Sequence, residues 1–119
     1  MLKEGSSALT VRKRSGWIEV EKPHLFCSEA EFQNAVNKLA AKNGWLIYHT
    51  HNSKRSQPGF PDLVVVRGEE VIFAELKRER NAKMTVAQER WIDALSDVSS
   101  IGVYLWRPSD WEEIVECIT

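Results

Sequence analysis

The chain has 119 residues, a formal net charge of −1, 43% hydrophobic and 28% charged residues, ordinary values for a soluble globular protein, so one domain with a modest core, in a length too short for two, is the expectation. No apolar stretch nears the roughly 20 residues that cross a bilayer, and the N-terminus lacks the apolar segment of a secretory signal. Two cysteines, Cys27 and Cys117, show no metal-ligand spacing and fit free thiols, so a cytoplasmic protein is the expectation.

Residues 1–15 are polar and basic without a clear period. They read as a flexible arm, disordered or touching nucleic-acid backbone, and with the following residues make an N-terminal arm over 1–25 ahead of one domain over 26–119. Trp17 to Glu21 alternates apolar and polar side chains as a short edge strand would, and Pro23 ends it.

Ser28 with Glu31 three residues on is a capping box. Phe32, Ala35, Val36, Leu39 and Ala40 then recur at helical spacing until Asn43-Gly44 stops the helix. Glu31 serves the box. Glu29 lies in line with Phe32, Gln33 and Val36, so it is expected to face the sheet as an accessory metal or water ligand; the alternative is a first-turn charge favoured by the helix dipole.

Trp45 to His49 is rich in aromatic and branched residues and reads as the first core strand. The loop from His49 to Gly59 carries Ser53, Lys54 and Arg55, groups that suit phosphate contacts. His49 and His51 are ordinary satisfied or surface histidines by default, with His49 the better candidate for a place beside a site because it ends a strand.

Two apolar runs follow, Leu63 to Val66 and Val71 to Leu76, joined by Arg67-Gly68-Glu69-Glu70, and they read as a hairpin. Side chains alternate along a strand, so Glu75 and Lys77 point the same way. Pairing across the turn brings Asp62, at the start of one strand, beside Glu75, near the end of the other. Two carboxylates and an ammonium then crowd one end of an apolar sheet, where charges are costly unless paired or bound to metal. Hard oxygen ligands of this kind suit Mg²⁺ or Mn²⁺. The plainer alternative is a surface hairpin with an ordinary cross-strand charge pair.

Lys77, Arg78, Arg80 and Lys83 form a basic segment after this strand, whereas Asp110, Glu112, Glu113 and Glu116 make the chain end acidic. The basic segment is a candidate nucleic-acid contact or merely a solvated face. Thr85 with Gln88 repeats the capping-box spacing, and Gln88 is either the cap partner or a polar group at the site. Ala87, Trp91, Ala94, Leu95 and Val98 form an apolar stripe that places Trp91 in the core. Gly102 to Trp106 is a further strand, and Ser109 or Asp110 caps a last helix over 111–118. The order is helix, three strands, helix, strand, helix, which suits a small mixed central sheet flanked by helices, an α/β fold.

Pro61-Asp62 followed by Glu75-Leu76-Lys77 resembles the PD-(D/E)XK signature of metal-dependent nucleases. With Ser28-Glu29-Ala30-Glu31-Phe32-Gln33, Gly44-Trp45, His49, Gly59-Phe60-Pro61-Asp62-Leu63, Ala74-Glu75-Leu76-Lys77 and Gln88, residues 28 to 119 resemble the VRR-NUC branch of that superfamily. The resemblance implies a restriction-endonuclease-like αβββαβ core and Mg²⁺- or Mn²⁺-dependent phosphodiester hydrolysis. It implies Asp62, Glu75 and the carbonyl of Leu76 as metal ligands, Glu29 as accessory ligand, and Lys77 and Gln88 in the catalytic group. Small stand-alone members look like dimeric Holliday-junction resolvases, so a structure-selective endonuclease of branched DNA, acting as a homodimer, is the expectation. A nickase or restriction-like nuclease, or an idle nucleic-acid-binding subunit, are the alternatives.

Overall fold

The computed structural model describes residues 28–50, 56–78 and 83–119, and the backbone of 8–13 and 16–21. Ser53, Lys54, Arg55 and Arg80, expected at a nucleic-acid contact, lie outside the described residues. The helices and strands of the described residues are β1 (Ala8–Lys13), β2 (Gly16–Glu21), α1 (Glu29–Lys42), β3 (Leu46–His49), β4 (Leu63–Arg67), β5 (Glu70–Leu76), α2 (Val86–Ser96), β6 (Gly102–Trp106) and α3 (Trp111–Ile118). Among the described residues no helix is long and apolar enough to cross a membrane.

Strands β3, β4, β5 and β6 form one sheet in that order. The first three run antiparallel, and β6 joins β5 in parallel with Ile72 opposite Gly102 and Leu76 opposite Trp106. The β4–β5 connection is a two-residue turn in which Gly68 has φ 58°, the left-handed conformation such tight hairpins require and glycine adopts without strain. This turn sets Leu63 against Ala74, and so sets everything at the other end of the hairpin.

The α1 helix begins where its cap residues say it should. Ser28 Oγ accepts from the Glu31 backbone N–H at 3.1 Å and donates to the Glu31 carboxylate at 3.2 Å. Phe32, Val36 and Ala40 are buried at four-residue intervals, one stripe of the helix laid on the sheet. They meet Leu63, Val65, Ile72, Ala74 and Leu76, together with Trp111, Ile114, Val115 and Ile118 of α3. Alternation along β4 and β5 puts these five strand residues on one face, so α1 and α3 share that face and the main core lies beneath them. Arg67 fastens its lower edge. Its guanidinium stacks 4.3 Å over the Trp45 ring and donates to the carbonyls of Asn43 and Ile118, at the C-terminal ends of α1 and α3, where helix dipoles favour a cation.

The opposite face is covered less completely. Phe73 points there, packs edge-on against Phe60 at 6.0 Å, and Phe60 packs edge-on against Trp91 of α2 at 5.1 Å. No residue of α2 is fully buried. Trp91 is therefore half-buried at the surface of this layer rather than in the core, and Val98, expected on the same stripe, lies beyond the end of α2 and is 45% exposed. Strand β3 also departs from expectation. It is an outer strand of the sheet, with Leu46 76% and Tyr48 62% exposed, and the buried member of that segment is Trp45.

Two more local readings change. Residues 8–13, read as part of an irregular arm, pair with β2 in an antiparallel hairpin, Ala8 opposite Glu21 and Lys13 opposite Gly16. The sequence signal was present in Leu9-Thr10-Val11, a strand-favouring run ahead of Ser15-Gly16. Asp110 precedes α3 but does not cap it; its carboxylate accepts from the Arg107 backbone N–H at 2.8 Å across a 3-10 turn over Pro108–Asp110.

Candidate active site

The hairpin register of β4 and β5 continues one residue past Leu63, where Asp62 meets Glu75. The Asp62 backbone N–H donates to Glu75 Oε1 at 3.2 Å, and the Leu76 backbone N–H donates to Asp62 Oδ2 at 3.0 Å. Each carboxylate is thus held by the other strand's backbone. On the far side Lys77 N–H donates to the Trp106 carbonyl at 3.0 Å, so the parallel β5–β6 pairing extends to the residue that carries the ammonium. Behind Asp62, Thr50 N–H donates to the Asp62 carbonyl at 2.9 Å and its hydroxyl to the Pro61 carbonyl at 2.7 Å. The short segment Pro61-Asp62 is pinned from both neighbouring strands.

Glu75 is the chemically unusual member. It is 1% exposed, the one buried charged residue among the described residues, and its Oε2 has no hydrogen-bond partner among them. Burial raises its pKa, the hydrogen bond and charge of Asp62 raise it further, and the charge of Lys77 opposes them; the result lies at about 8. A buried carboxyl with one orphaned oxygen beside a second carboxylate costs free energy as it stands, and a divalent cation between the two would satisfy both. This is the observation by which Asp62 and Glu75 fit a metal.

The raised pKa has a measurable consequence. The folded Glu75 carboxyl holds its proton to about pH 8, whereas its ordinary value is 4.5. Folding of the metal-free protein therefore takes up a proton between those limits, and the contribution of Glu75 to stability is complete below the lower one and lost as pH rises through the upper one. Thermal melts in EDTA should show Tm falling from about pH 5 to pH 8 more steeply in the wild type than in Glu75→Gln. Equal slopes would mean that Glu75 is ionised throughout.

The other expected site residues divide. Gln88 takes the structural role: its Oε1 accepts from Thr85 N–H at 2.8 Å and its own N–H donates to the Thr85 hydroxyl at 3.1 Å, so its amide oxygen is committed to the cap. Glu29 is exposed, not turned to the sheet. Among the described residues no three His, Cys, Asp or Glu side chains come together as a metal cluster, so Glu29 does not complete a set with Asp62 and Glu75. One helical turn on, Gln33 makes the inward contact instead; its side-chain amide lies within hydrogen-bond distance of His49 Nδ1, at 3.0 Å. His49 pairs with Leu63 across β3 and β4 and so stands next to the Asp62 position. In the sequence Gln33 stands in the Ser28-to-Gln33 string of the family resemblance and beside Glu29 on the helix, with no role of its own assigned to it. Arg78 and Lys83 are exposed at the surface.

Gly59 makes the approach to Asp62 possible. Its φ is +91°, and a Cβ there would sit 2.4 Å from the Ala87 carbonyl carbon and 2.7 Å from Gln88 N, so the loop lies directly on the first turn of α2. Gly59→Ala is expected to lower stability by at least about 2 kcal/mol, since the backbone strain alone is of that order and the contact is with main chain that cannot turn aside. A urea titration showing less than ~0.5 kcal/mol would mean that the loop relaxes freely.

A small mixed α/β sheet with two strand-held carboxylates and a lysine at one end is the class of architecture defined so far. A solved structure of a VRR_NUC domain protein superposes on it with a TM-score of 0.59, covering 76% of this chain and 86% of that one at 19% identity. The chain has a VRR-NUC-like fold. No protein-family model and no curated protein sequence matches it.

Proposed function

We propose that the protein is a metal-dependent, structure-selective DNA endonuclease that hydrolyses phosphodiester bonds, working in the cytoplasm as a homodimer of the Holliday-junction-resolvase kind. The observation that carries this reading is the pairing of Asp62 with a buried Glu75 whose Oε2 lacks a partner among the described residues. Asp62, Glu75 and the Leu76 carbonyl would hold Mg²⁺ or Mn²⁺, which would acidify a water and neutralise charge growing on the phosphate. Lys77 follows on the same strand line, close enough to lower the Glu75 pKa. Its role is to orient the attacking water and stabilise the phosphate oxygens. The hydrogen bonds from Asp62 and Leu76 backbone fix both carboxylates before substrate arrives, which is the preorganisation such chemistry needs. The exposed Arg78 and Lys83 suit a polymeric anion better than a free nucleotide. A junction must be cut in both strands from one small site per chain, and a two-fold dimer provides that.

The test is cleavage in Mg²⁺ or Mn²⁺ of a panel comprising four-way junction, flap, splayed, single-stranded and plain duplex DNA, with Asp62→Ala alongside. Preference for a branched substrate, lost in the variant, is the expected result. Cutting that survives in Asp62→Ala overturns the assignment.

A further inference from the structure

The loop that delivers Asp62 has a second surface that the hydrolytic site does not use. Gln57, Pro58, Ala87, Arg90, Trp91 and Ala94 line an open cleft of about 340 Å³ between this loop and α2. Trp91 is fixed there: its indole N–H donates to the Pro58 carbonyl at 3.1 Å, and its ring abuts Phe60 edge-on. An indole held by a hydrogen bond and an aromatic neighbour presents a surface already ordered for stacking, and a guanidinium one residue earlier adds a cation beside an otherwise apolar wall.

We infer that this cleft receives an unpaired nucleobase adjacent to the scissile phosphate, stacked against Trp91, with Arg90 on the DNA backbone and the Gln57 amide at the base's polar edge. The inference rests on the nuclease reading and names what that site would recognise in branched DNA. Three observations favour this occupant. The combination of aromatic ring, arginine and few polar groups is what binds single-stranded bases without sequence preference. Arg90 complements a polyanion. Pro58, a wall of the cleft, precedes Asp62 by four residues, a span of no more than about 14 Å, so a nucleotide next to the phosphate at Asp62 is within reach. A fully stacked duplex offers no such base, which would make the cleft a source of structure selectivity.

The experiment uses the full chain with Mn²⁺ and a splayed-arm DNA, intact or carrying one abasic residue at successive positions on either side of the cut. The wild type is expected to cut one of the abasic substrates roughly tenfold more slowly than the intact one, the order expected for loss of one stacked base. In Ala94→Phe, which fills the cleft from an exposed position without removing a packed side chain, the ratio should collapse towards one, whereas Arg90→Ala should slow cutting of the intact and abasic substrates alike. Ala94→Phe keeps the question open to test where Trp91→Ala would also disturb Phe60. A wild type that cuts no DNA overturns both readings. A wild type that cuts but is indifferent to every abasic position, or an Ala94→Phe variant that keeps its full ratio, overturns the base cleft and leaves the nuclease standing. A changed oligomeric state of Ala94→Phe on gel filtration with the ratio intact makes the cleft a subunit contact and likewise overturns the inference.

Discussion

Glu75→Gln is expected to preserve the fold and to lower metal-dependent DNA cleavage by on the order of 10²–10³-fold, the loss that follows removal of one preorganised charge-stabilising group. The amide is the same shape as the protonated carboxyl that burial and Asp62 favour in the metal-free protein, and its oxygen can still accept from the Asp62 backbone N–H. What it lacks is the negative charge a divalent cation needs. Asp62→Asn is expected to behave alike, because the amide oxygen can accept from Leu76 N–H as the carboxylate does. The two variants should also lose most of the rise in Tm that Mn²⁺ confers on the wild type, since a ligand stabilises only the state that binds it. This second readout separates a missing metal from a broken fold. Undiminished cutting, or an undiminished Mn²⁺ shift, in either variant would remove that carboxylate from the site.

The largest effect on stability is expected at Phe32. It is 0% exposed and lies in the stripe by which α1 sits on the sheet. Phe32→Ala removes most of a buried ring and leaves a cavity that α3 and the β4–β5 hairpin cannot fill without moving, a loss of about 3–5 kcal/mol. For a chain of this size that is a large part of the total stability. Gln33, the next residue, holds His49, so loosening α1 also loosens the strand end next to Asp62. Guanidinium or urea unfolding monitored by tryptophan fluorescence measures the change; a cost under about 1 kcal/mol would show that the site collapses freely.

The heart of the candidate site is legible in the residue order because it depends on local rules. Strand alternation puts Glu75 and Lys77 on one side, and a short turn at Gly68 sets the register that brings Asp62 opposite Glu75. The Ser28 and Thr85 caps are equally legible, since an N-cap and its partner are three residues apart in the same helix. Glu29 departs from expectation for a related reason. Helical periodicity says which residues share a stripe, but not how far along the helix the sheet extends beneath it: Glu29 stands exposed, and burial against the sheet begins at Phe32.

Residue pattern and spacing alone thus determined the element types from α1 onward, the hairpin and the meeting of its two carboxylates, all governed by periods and turns spanning a few residues. Only the tertiary structure decided that β6 lies parallel beside β5, that α1 and α3 share one face, that β3 is an edge, that Trp91 walls a cleft, and that Glu75 is buried with one oxygen unpartnered among the described residues. Those outcomes follow from which apolar surfaces bury one another best across long stretches of chain, a competition that no single segment records.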